Sequence, residues 1–247
     1  MPRLRALAVD IDGTLTINRG IFTLDLEAIN MLRELSSHGI HIILVTGNSL
    51  PVTAGLARYL GFDYSPHVAE NGCMVFYRGS RIRTCTGDAS TAARLVEEHL
   101  SDILYPSWQN PYRHCDYAFN LRSGVDPQAA LEKVRNLLHR EGLEGISIGY
   151  SGYAIHVKPS CVSKARGLLK ALELVGVKTT ETVAIGDSAL DVELKHASAV
   201  LVAVGNADEE LKQAAHIVAP GRSSESVKWL VKLLLEKNLE LDGLLSQ

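Results

Sequence analysis

The sequence predicts an α/β fold, in which a doubly wound parallel-sheet core carries an inserted, smaller α+β domain. Near both ends of the chain, short apolar runs typical of buried strands alternate with amphipathic segments typical of helices. Between about residues 85 and 155 the order changes to helix, strand, helix and two strands. A length of 247 residues allows one large α/β domain or two smaller ones, and 46% hydrophobic residues are ordinary for a protein with a well-formed core. These three observations together predict a core that the insert interrupts.

Residues 1–84 are predicted to form the first part of the core. Its helices carry apolar residues on one face, and Gly39 and Gly61 are placed to end them. Pro51 falls near the first turn of the second helix, where proline is tolerated. The predicted elements are strands at 4–9, 40–45 and 67–69, a short flap at 16–22, a helix at 26–35, a second helix that Asn48 or Ser49 caps and Gly61 ends, and a hairpin of strands at 73–77 and 81–84.

Residues 85–155 are predicted to form the inserted domain, and residues 156–247 to complete the core. Asp126 and Pro127 indicate the start of a helix in the insert, which Gly142 ends. The other predicted elements of the insert are a helix at 92–104 and strands at 116–121, 146–150 and 153–157, the last two forming a hairpin. After the insert we predict helices at 164–174, around 192–194, at 208–214 and at 225–237, and strands at 182–185, 200–204 and 216–218.

Composition and charge exclude several classes of function. A net charge of −3 gives no electrostatic signature of nucleic-acid binding. No apolar segment approaches the ~18 residues of a membrane span, and acids interrupt the N-terminal apolar run, so we expect a cytoplasmic protein without a signal peptide. The chain contains no Gly-Lys dipeptide, which excludes a P-loop nucleotide site.

The four cysteines are scattered along the chain. Cys73, Cys85, Cys115 and Cys161 form no CxxC pair, and no histidine stands at zinc-site spacing from them. We therefore expect free, buried thiols in a reducing compartment.

Paired carboxylates follow the first predicted strand. Asp10 and Asp12 are one residue apart, so an extended chain points both to the same side, and Gly13 permits a sharp turn after them. Two such charges repel by about 4 kcal/mol at 4 Å with an effective dielectric near 20, so we expect a cation beside them. A solvated acidic turn is the alternative. A calcium-binding loop is excluded, because its required glycine and glutamate are replaced by Leu15 and Ile21.

Further polar residues follow other predicted strands. Thr46, Asp187 and Asn206 stand at strand ends, which share one edge in a parallel sheet, so residues distant in sequence can converge there. If a helix starts near Ser188, Asp187 and Asp191 lie close together on its first turn. Four carboxylates in a small volume fit Mg²⁺ best. Taken alone, Thr46 fits a helix-capping hydroxyl equally well, and Asn206 a turn residue.

Lys164 begins a predicted helix, where a cation is unfavourable because the helix N-terminus already carries positive charge. A bound anion would offset both charges. An exposed surface lysine is the other interpretation. The pairs Arg113-His114 and Arg81/Arg83 are most simply interpreted as solvated surface.

These residues, in this order, resemble the four motifs of the haloacid dehalogenase superfamily of phosphatases. The segment 10–15 (DIDGTL) is similar to the first motif, Thr46 to the second, Lys164 to the third and the segment 186–191 (GDSALD) to the fourth. The resemblance covers essentially the whole chain and implies a Rossmann-like core with a type-two cap between the second and third motifs. Within the superfamily, the chain is most similar to the archaeal-type phosphoglycolate phosphatases.

The resemblance implies a Mg²⁺-dependent phosphomonoesterase that converts 2-phosphoglycolate, a small phosphorylated metabolite, to glycolate and phosphate. Asp10 would form an aspartyl phosphate, and Asp12 would act as general acid and then general base. The remaining implied roles are Mg²⁺ binding by Asp10, the Asp12 carbonyl, Asp187 and Asp191, phosphate binding by Thr46 and Lys164, and support by Asn48 and Asn206. We expect a monomer or homodimer that binds neither nucleic acid nor membranes.

Two other functions stay open at this point. A sugar-phosphate phosphatase or phosphomutase of the same superfamily would use the same residues, but a mutase returns the phosphate to the sugar rather than to water. A phospho-receiver signalling domain also uses clustered Asp, Thr and Lys with Mg²⁺. Receiver domains are much shorter than this chain and need no inserted domain.

Overall fold

The computed structural model describes residues 3–244, which form seven α-helices and twelve strands. In chain order they are β1 (Ala6–Val9), α1 (Leu26–Ser37), β2 (His41–Leu44), α2 (Leu50–Leu60), β3 (His67–Ala69), β4 (Met74–Tyr77), β5 (Ser80–Arg83), α3 (Ser90–His99), β6 (Leu104–Pro106), β7 (Tyr117–Leu121), α4 (Pro127–Arg140), β8 (Ile146–Tyr150), β9 (Ala154–Pro159), α5 (Lys164–Val175), β10 (Thr182–Gly186), β11 (Val200–Ala203), α6 (Glu209–Ala214), β12 (Ile217–Val218) and α7 (Ser224–Glu236). Short 3₁₀ segments lie at Glu70–Gly72, Asn110–Tyr112, Thr179–Glu181, Ala189–His196 and Asp242–Leu244.

Five strands form a parallel sheet at the centre of the core, in the order β12-β11-β10-β1-β2. The chain winds outward from β1 in both directions, since β2 pairs with one side of β1 and β10 with the other. Every residue of β1 is fully buried, as its unbroken apolar sequence requires. Val9 at the end of β1 lies level with Leu44 of β2 and Ile185 of β10. The sheet confirms the predicted doubly wound core and brings three strand ends to one edge.

A second, antiparallel sheet has the order β6-β7-β9-β8. Helices α3 and α4 pack against it through an apolar cluster of its own, which includes Val96, Phe119, Val134 and Ile155. This cluster is separate from that of the parallel sheet. The predicted α+β character of the insert and the predicted hairpin of β8 and β9 are confirmed. The division of the chain into 1–84, 85–155 and 156–247 stays a prediction.

Two predicted helices differ from the structure. The helix predicted at 92–104 ends at His99, and Leu104 begins β6, which pairs with β7. The helical spacing of apolar residues continues past His99, because Leu104, which lies in a strand, is buried in the same apolar cluster as the helix. The helix predicted after Asp187 is a 3₁₀ segment, tightened at its start because the Asp191 side chain accepts hydrogen bonds from the preceding backbone.

The expectation of free thiols is wrong. The structure pairs Cys73 with Cys115 and Cys85 with Cys161 as disulfides, and no cysteine in the described chain is free. The partners are 42 and 76 residues apart, so their spacing gave no sign of the pairing, and each disulfide joins one cysteine of the predicted insert to one of the predicted core. In the chain-entropy account each crosslink would stabilise the fold by about 4 kcal/mol. The prediction of a reducing compartment depended on free thiols, so the disulfides remove its support.

None of the helices between residues 3 and 244 combines the length and the apolar character needed to cross a membrane.

His67, at the start of β3, is a fully buried histidine that should make stability depend on pH. Leu44 N donates to Nδ1 at 3.2 Å, and Nε2 lies 2.8 Å from Phe62 O, so the ring is neutral with its proton on Nε2. Burial lowers the pKa of His67 from 6.5 to about 4. The unfolded chain therefore binds this proton at higher pH than the folded chain. The stabilisation is complete above about pH 6.5 and is lost as pH falls toward 4.

We expect this histidine to remove about 2.5 kcal/mol from the free energy of unfolding between pH 7 and pH 4.5. Denaturant unfolding of the wild type and of His67→Gln at both pH values measures it, because groups that titrate in both proteins cancel in the difference. A His67→Gln protein with the same pH dependence as the wild type would contradict the assignment.

Candidate active site

Three predicted site residues lie at the carboxyl edge of the parallel sheet. Asp10 follows β1, Thr46 lies two residues beyond β2, and Asp187 follows β10. Asp10 N donates to Ile185 O at 3.1 Å, which continues the pairing of β1 with β10 up to the site. All three side chains are buried, with at most 5% of each residue exposed. As their positions at strand ends predicted, the three residues lie along one edge of the sheet.

Asp10, Asp187 and Asp191 form a buried acidic cluster, in which one carboxylate oxygen from each lies within 4.8 Å of the others. Burial raises the pKa of Asp10 to about 7, with Lys164 opposing the shift and Asp191 adding to it. Burial and the charges of Asp10 and Asp191 raise the pKa of Asp187 to about 9. Buried carboxyl groups that lie next to other carboxylates ionise readily only when a cation lies beside them.

The residues of this cluster fit a magnesium ion. Asp187 Oδ2 is buried and accepts no hydrogen bond within residues 3–244. Arg19 Nε lies 2.7 Å from this oxygen, but its N–H is not aligned for a hydrogen bond. Gly13 has φ 85°, and a Cβ there would collide with the Asp187 carboxylate, so glycine permits the close approach. Carboxylates without sulfur or imidazole are the donors that Mg²⁺ prefers.

Lys164 is buried among these acids. It is the first residue of α5, whose N-terminus Ser163 caps by accepting from Arg166 N at 3.1 Å. Lys164 Nζ donates to Asp10 Oδ1 at 2.8 Å and to Asp191 Oδ1 at 2.6 Å. Burial acts to lower the pKa of Lys164, but the charges of the two aspartates outweigh it and raise the pKa. The interpretation of Lys164 as an exposed surface residue is therefore wrong.

Asp12, Thr46 and Asn48 form a hydrogen-bonded group beside the acidic cluster. Asn48 Nδ2 donates to Asp12 Oδ2 at 2.6 Å and to Thr46 Oγ1 at 3.0 Å, and Asn48 N donates to the same hydroxyl oxygen at 3.1 Å. Burial raises the pKa of Asp12, and the hydrogen bond from Asn48 opposes the shift. Ser49, not Thr46, is the N-cap residue of α2, so the capping interpretation of Thr46 does not apply.

Asp191 and Asn206 have different surroundings. Asp191 Oδ2 accepts from Asp187 N at 3.2 Å and from Ser188 N and Oγ at 3.0 Å, which closes the 3₁₀ turn and fixes the carboxylate. Asn206 Oδ1 accepts from Ser223 N at 2.8 Å, and in the described chain its side chain contacts none of the acids. The structure thus brings Asp191 into the cluster and leaves Asn206 in a neighbouring turn.

Arg19 is a site residue that the sequence analysis missed. It lies on the flap of residues 16–22, where its guanidinium is paired with Asp187 and its Nη1 lies 2.8 Å from Asp208 Oδ1. The next residue of the flap, Gly20, donates its N–H to the Tyr153 hydroxyl of the inserted domain at 3.1 Å. No local pattern indicated Arg19, because its partners lie more than 160 residues further along the chain.

A cavity of about 620 Å³ opens between the acidic cluster and the inserted domain. The core contributes the acids, Thr46 and Lys164 to its wall. The insert contributes Gln109, which donates from Nε2 to Asn48 Oδ1 at 2.7 Å and accepts from Ser49 N at the same distance. The insert therefore lies over the candidate site and is hydrogen-bonded to its edge.

The interpretation of Arg113-His114 as solvated surface is wrong. The Arg113 side chain is 3% exposed and lines the cavity, and Nη1 donates to Gly47 O at 2.9 Å. His114 Nδ1 lies 3.0 Å from the buried Glu70 carboxylate. Both contacts join the insert to the core, which spacing along the sequence cannot indicate. Arg81 and Arg83 are exposed, as predicted.

Comparisons with known proteins agree with this geometry. A family model of haloacid dehalogenase-like hydrolases matches residues 7–108 and 117–230. Phosphoglycolate phosphatase of Staphylothermus marinus is 39% identical over 241 residues, which cover 95% of this chain and 99% of that protein. Phosphoglycolate phosphatase 1 of Saccharolobus solfataricus is 40% identical over 242 residues, which cover 98% and 99%. A crystal structure from Thermoplasma acidophilum superposes with a TM-score of 0.79 at 24% identity, covering 96% of this chain and 100% of that one.

Proposed function

The chain belongs to the haloacid dehalogenase-like hydrolase family, and on that premise we propose that it is a Mg²⁺-dependent phosphomonoesterase that converts 2-phosphoglycolate to glycolate and phosphate. Family membership confirms the resemblance seen in the four motifs. The observation that carries the proposal is a buried Asp10 carboxylate, in one cluster with Asp187 and Asp191, that lines a cavity beneath the insert. The names of the relatives support the choice of 2-phosphoglycolate.

Asp10, Asp187 and Asp191 would hold the Mg²⁺ ion together with the backbone carbonyl of Asp12. Asp187 Oδ2, which accepts no hydrogen bond within residues 3–244, and the oxygen-only donor set support this assignment. When bound, the ion would neutralise the acids and reduce their repulsion of the substrate phosphate. Asp191 Oδ2 also accepts from the backbone of the turn, and its Oδ1 accepts from Lys164 Nζ at 2.6 Å.

Asp10 would attack phosphorus in line, forming the aspartyl phosphate while the bond from phosphorus to the glycolate oxygen breaks. Asp12 would give its proton to that departing oxygen, and the burial that raises the pKa of Asp12 favours the protonated form this step needs. Asp12 would then take a proton from the water that attacks the aspartyl phosphate. Phosphate leaves, and Asp10 and Asp12 return to their starting states.

Lys164 and Thr46 would bind the phosphoryl oxygens. Lys164 Nζ donates two hydrogen bonds to aspartates, which leaves its third N–H for the substrate. Thr46 Oγ1 accepts two hydrogen bonds from Asn48, and its O–H has no acceptor in the described part of the chain, so it would donate to the substrate. Asn48 would hold both Thr46 and Asp12 in position. The inserted domain above them would exclude water and select the ester.

A panel of phosphate esters, assayed with Mg²⁺ and with a chelator, tests the proposal. We expect 2-phosphoglycolate to be hydrolysed with a kcat/KM at least about ten times that of sugar phosphates, and phosphate release to stop on chelation and return with Mg²⁺. One free phosphate should appear for each ester consumed. Phosphate returned to a sugar would indicate a mutase, and a stable phosphoprotein without turnover would indicate a receiver. Either result would overturn the proposal.

The predicted partner is the small phosphorylated metabolite itself. A monomer or homodimer and a cytoplasmic location stay predictions.

A further inference from the structure

Two cationic or potentially cationic side chains, one in the insert and one on β9 of its antiparallel sheet, line the cavity that the acidic cluster also lines. Arg113 follows the 3₁₀ segment at Asn110–Tyr112, and His156 lies on β9. Both line the cavity, and their side chains are 3% and 5% exposed. Neither takes part in the chemistry proposed above, so their burial beside the substrate cavity requires another explanation.

Each side chain has a nitrogen atom without a hydrogen-bond partner within residues 3–244. Arg113 Nη1 donates to Gly47 O at 2.9 Å and to Asp116 O at 3.0 Å, but its Nε is buried without a hydrogen-bond partner in the described chain. His156 Nδ1 lies 2.9 Å from Asp116 Oδ2, and no residue in the described ranges bonds to Nε2. Unpaired guanidinium N–H groups are rare in protein interiors, and an anionic ligand would satisfy them.

Asp116 holds the two side chains in place. It is fully buried, and its Oδ2 lies 3.3 Å from Arg113 Nη1 and 2.9 Å from His156 Nδ1. Asn71 Nδ2 donates to the same oxygen at 2.9 Å. Burial acts to raise the pKa of Asp116, but His156, Arg113 and Lys158 outweigh it and hold the pKa below its usual value. One ionised carboxylate thus orients both side chains, as preorganised binding sites require.

The pair adjoins the proposed phosphate site. Gly47, whose carbonyl Arg113 binds, directly follows the phosphate-binding Thr46. A Cβ at Gly47 would lie 3.1 Å from the His156 ring, so the imidazole packs against the same loop. In 2-phosphoglycolate, a single methylene carbon separates the ester oxygen from the carboxylate. Asp10, Arg113 and His156 line the same cavity, so a substrate with its phosphate beside Asp10 would place its carboxylate in the cavity that this pair lines.

We propose that Arg113 and His156, oriented by Asp116, bind the substrate carboxylate and select phosphorylated 2-hydroxy acids over esters that lack an adjacent carboxylate. The proposal rests on the proposed phosphatase function and adds the residues that determine its specificity. Arg113 supplies the fixed positive charge, and His156 adds a second nitrogen on the same side of the cavity.

The test compares 2-phosphoglycolate with its amide, in which a neutral carboxamide of the same shape replaces the carboxylate, and with ethyl phosphate, which has no group at that position. In the wild type we expect kcat/KM for the acid to exceed that for the amide by about 100-fold, as loss of a charge-assisted hydrogen-bonded pair predicts. Arg113→Met should lower kcat/KM for the acid by about 100-fold and change it for ethyl phosphate by less than about threefold. His156→Gln should act in the same direction with a smaller effect. Arg81→Met, which removes an exposed arginine, should change kcat/KM for neither substrate.

The outcomes separate this proposal from the function on which it rests. A wild type that hydrolyses none of the three esters would overturn the proposed function. A wild type that hydrolyses the acid and its amide equally would overturn the carboxylate site alone, and this comparison needs no variant to fold. An Arg113→Met protein, folded by circular dichroism, that loses activity on the acid and on ethyl phosphate in the same proportion would also overturn it.

Discussion

Replacing Asp10 by asparagine is expected to lower phosphate release by at least about 10⁴-fold, the scale of effect seen when a covalent nucleophile is removed. The amide has the size of the carboxylate but is too weak a nucleophile to form the phosphorylated intermediate. The measurement is kcat for 2-phosphoglycolate at saturating Mg²⁺, together with a search for phosphoprotein in acid-quenched samples, which should find it in the wild type only.

The stability of the same variant provides its control. Asp10 is buried beside Asp187 and Asp191, and burial with the Asp191 charge raises its pKa to about 7, against the opposing effect of Lys164. A raised carboxyl pKa means that the ionised form destabilises the fold at higher pH. Asp10→Asn should therefore unfold at the same or a higher temperature than the metal-free wild type at pH 8. Asp102→Asn, at an exposed aspartate of the insert, is the matched change and should keep full activity. A folded Asp10→Asn protein with undiminished turnover would contradict the nucleophile assignment.

The core and its acids could be predicted because the relevant signals are local. An apolar run such as Ala6–Val9 predicts a buried strand, and the polar residue that follows it predicts a position at the edge of the sheet. The same reasoning placed Thr46 and Asp187 at that edge, where the register of three parallel strands brings them together. The geometry common to all parallel sheets places these residues close together, so they could be predicted without any knowledge of side-chain packing.

The side of the cavity that the insert forms could not be predicted, because its contacts depend on how the insert lies over the core. Arg113 looks like surface in the sequence and is buried only where it meets the carbonyl of Gly47. Asp116 and His156 are 40 residues apart and meet across the pairing of β7 with β9. The disulfide of Cys73 with Cys115 joins the same two parts of the molecule. Such contacts depend on how the surfaces of the insert and the core pack together. A single sequence contains no local pattern that predicts this packing.

Replacing Lys164 by methionine has the second largest expected effect. We expect kcat/KM to fall by about 10³-fold, because the variant loses the buried ammonium that would bind a phosphoryl oxygen next to the attacking carboxylate. The variant also loses the two hydrogen bonds that the ammonium donates to Asp10 and Asp191. Removing one partner of a buried ion pair should lower the metal-free free energy of unfolding by about 3–5 kcal/mol.

Magnesium binding distinguishes the two roles of Lys164. In the metal-free wild type, the ammonium neutralises part of the charge of Asp10 and Asp191 and therefore competes with the ion. Without it, Mg²⁺ should raise the unfolding temperature by more in Lys164→Met than in the wild type, even though the variant is nearly inactive. Lys170→Met removes a partly exposed lysine on the same helix and should change neither quantity. If Lys164→Met loses its response to Mg²⁺ along with its activity, the lysine only supports the shape of the acidic cluster, and phosphate binding by its third N–H would be wrong.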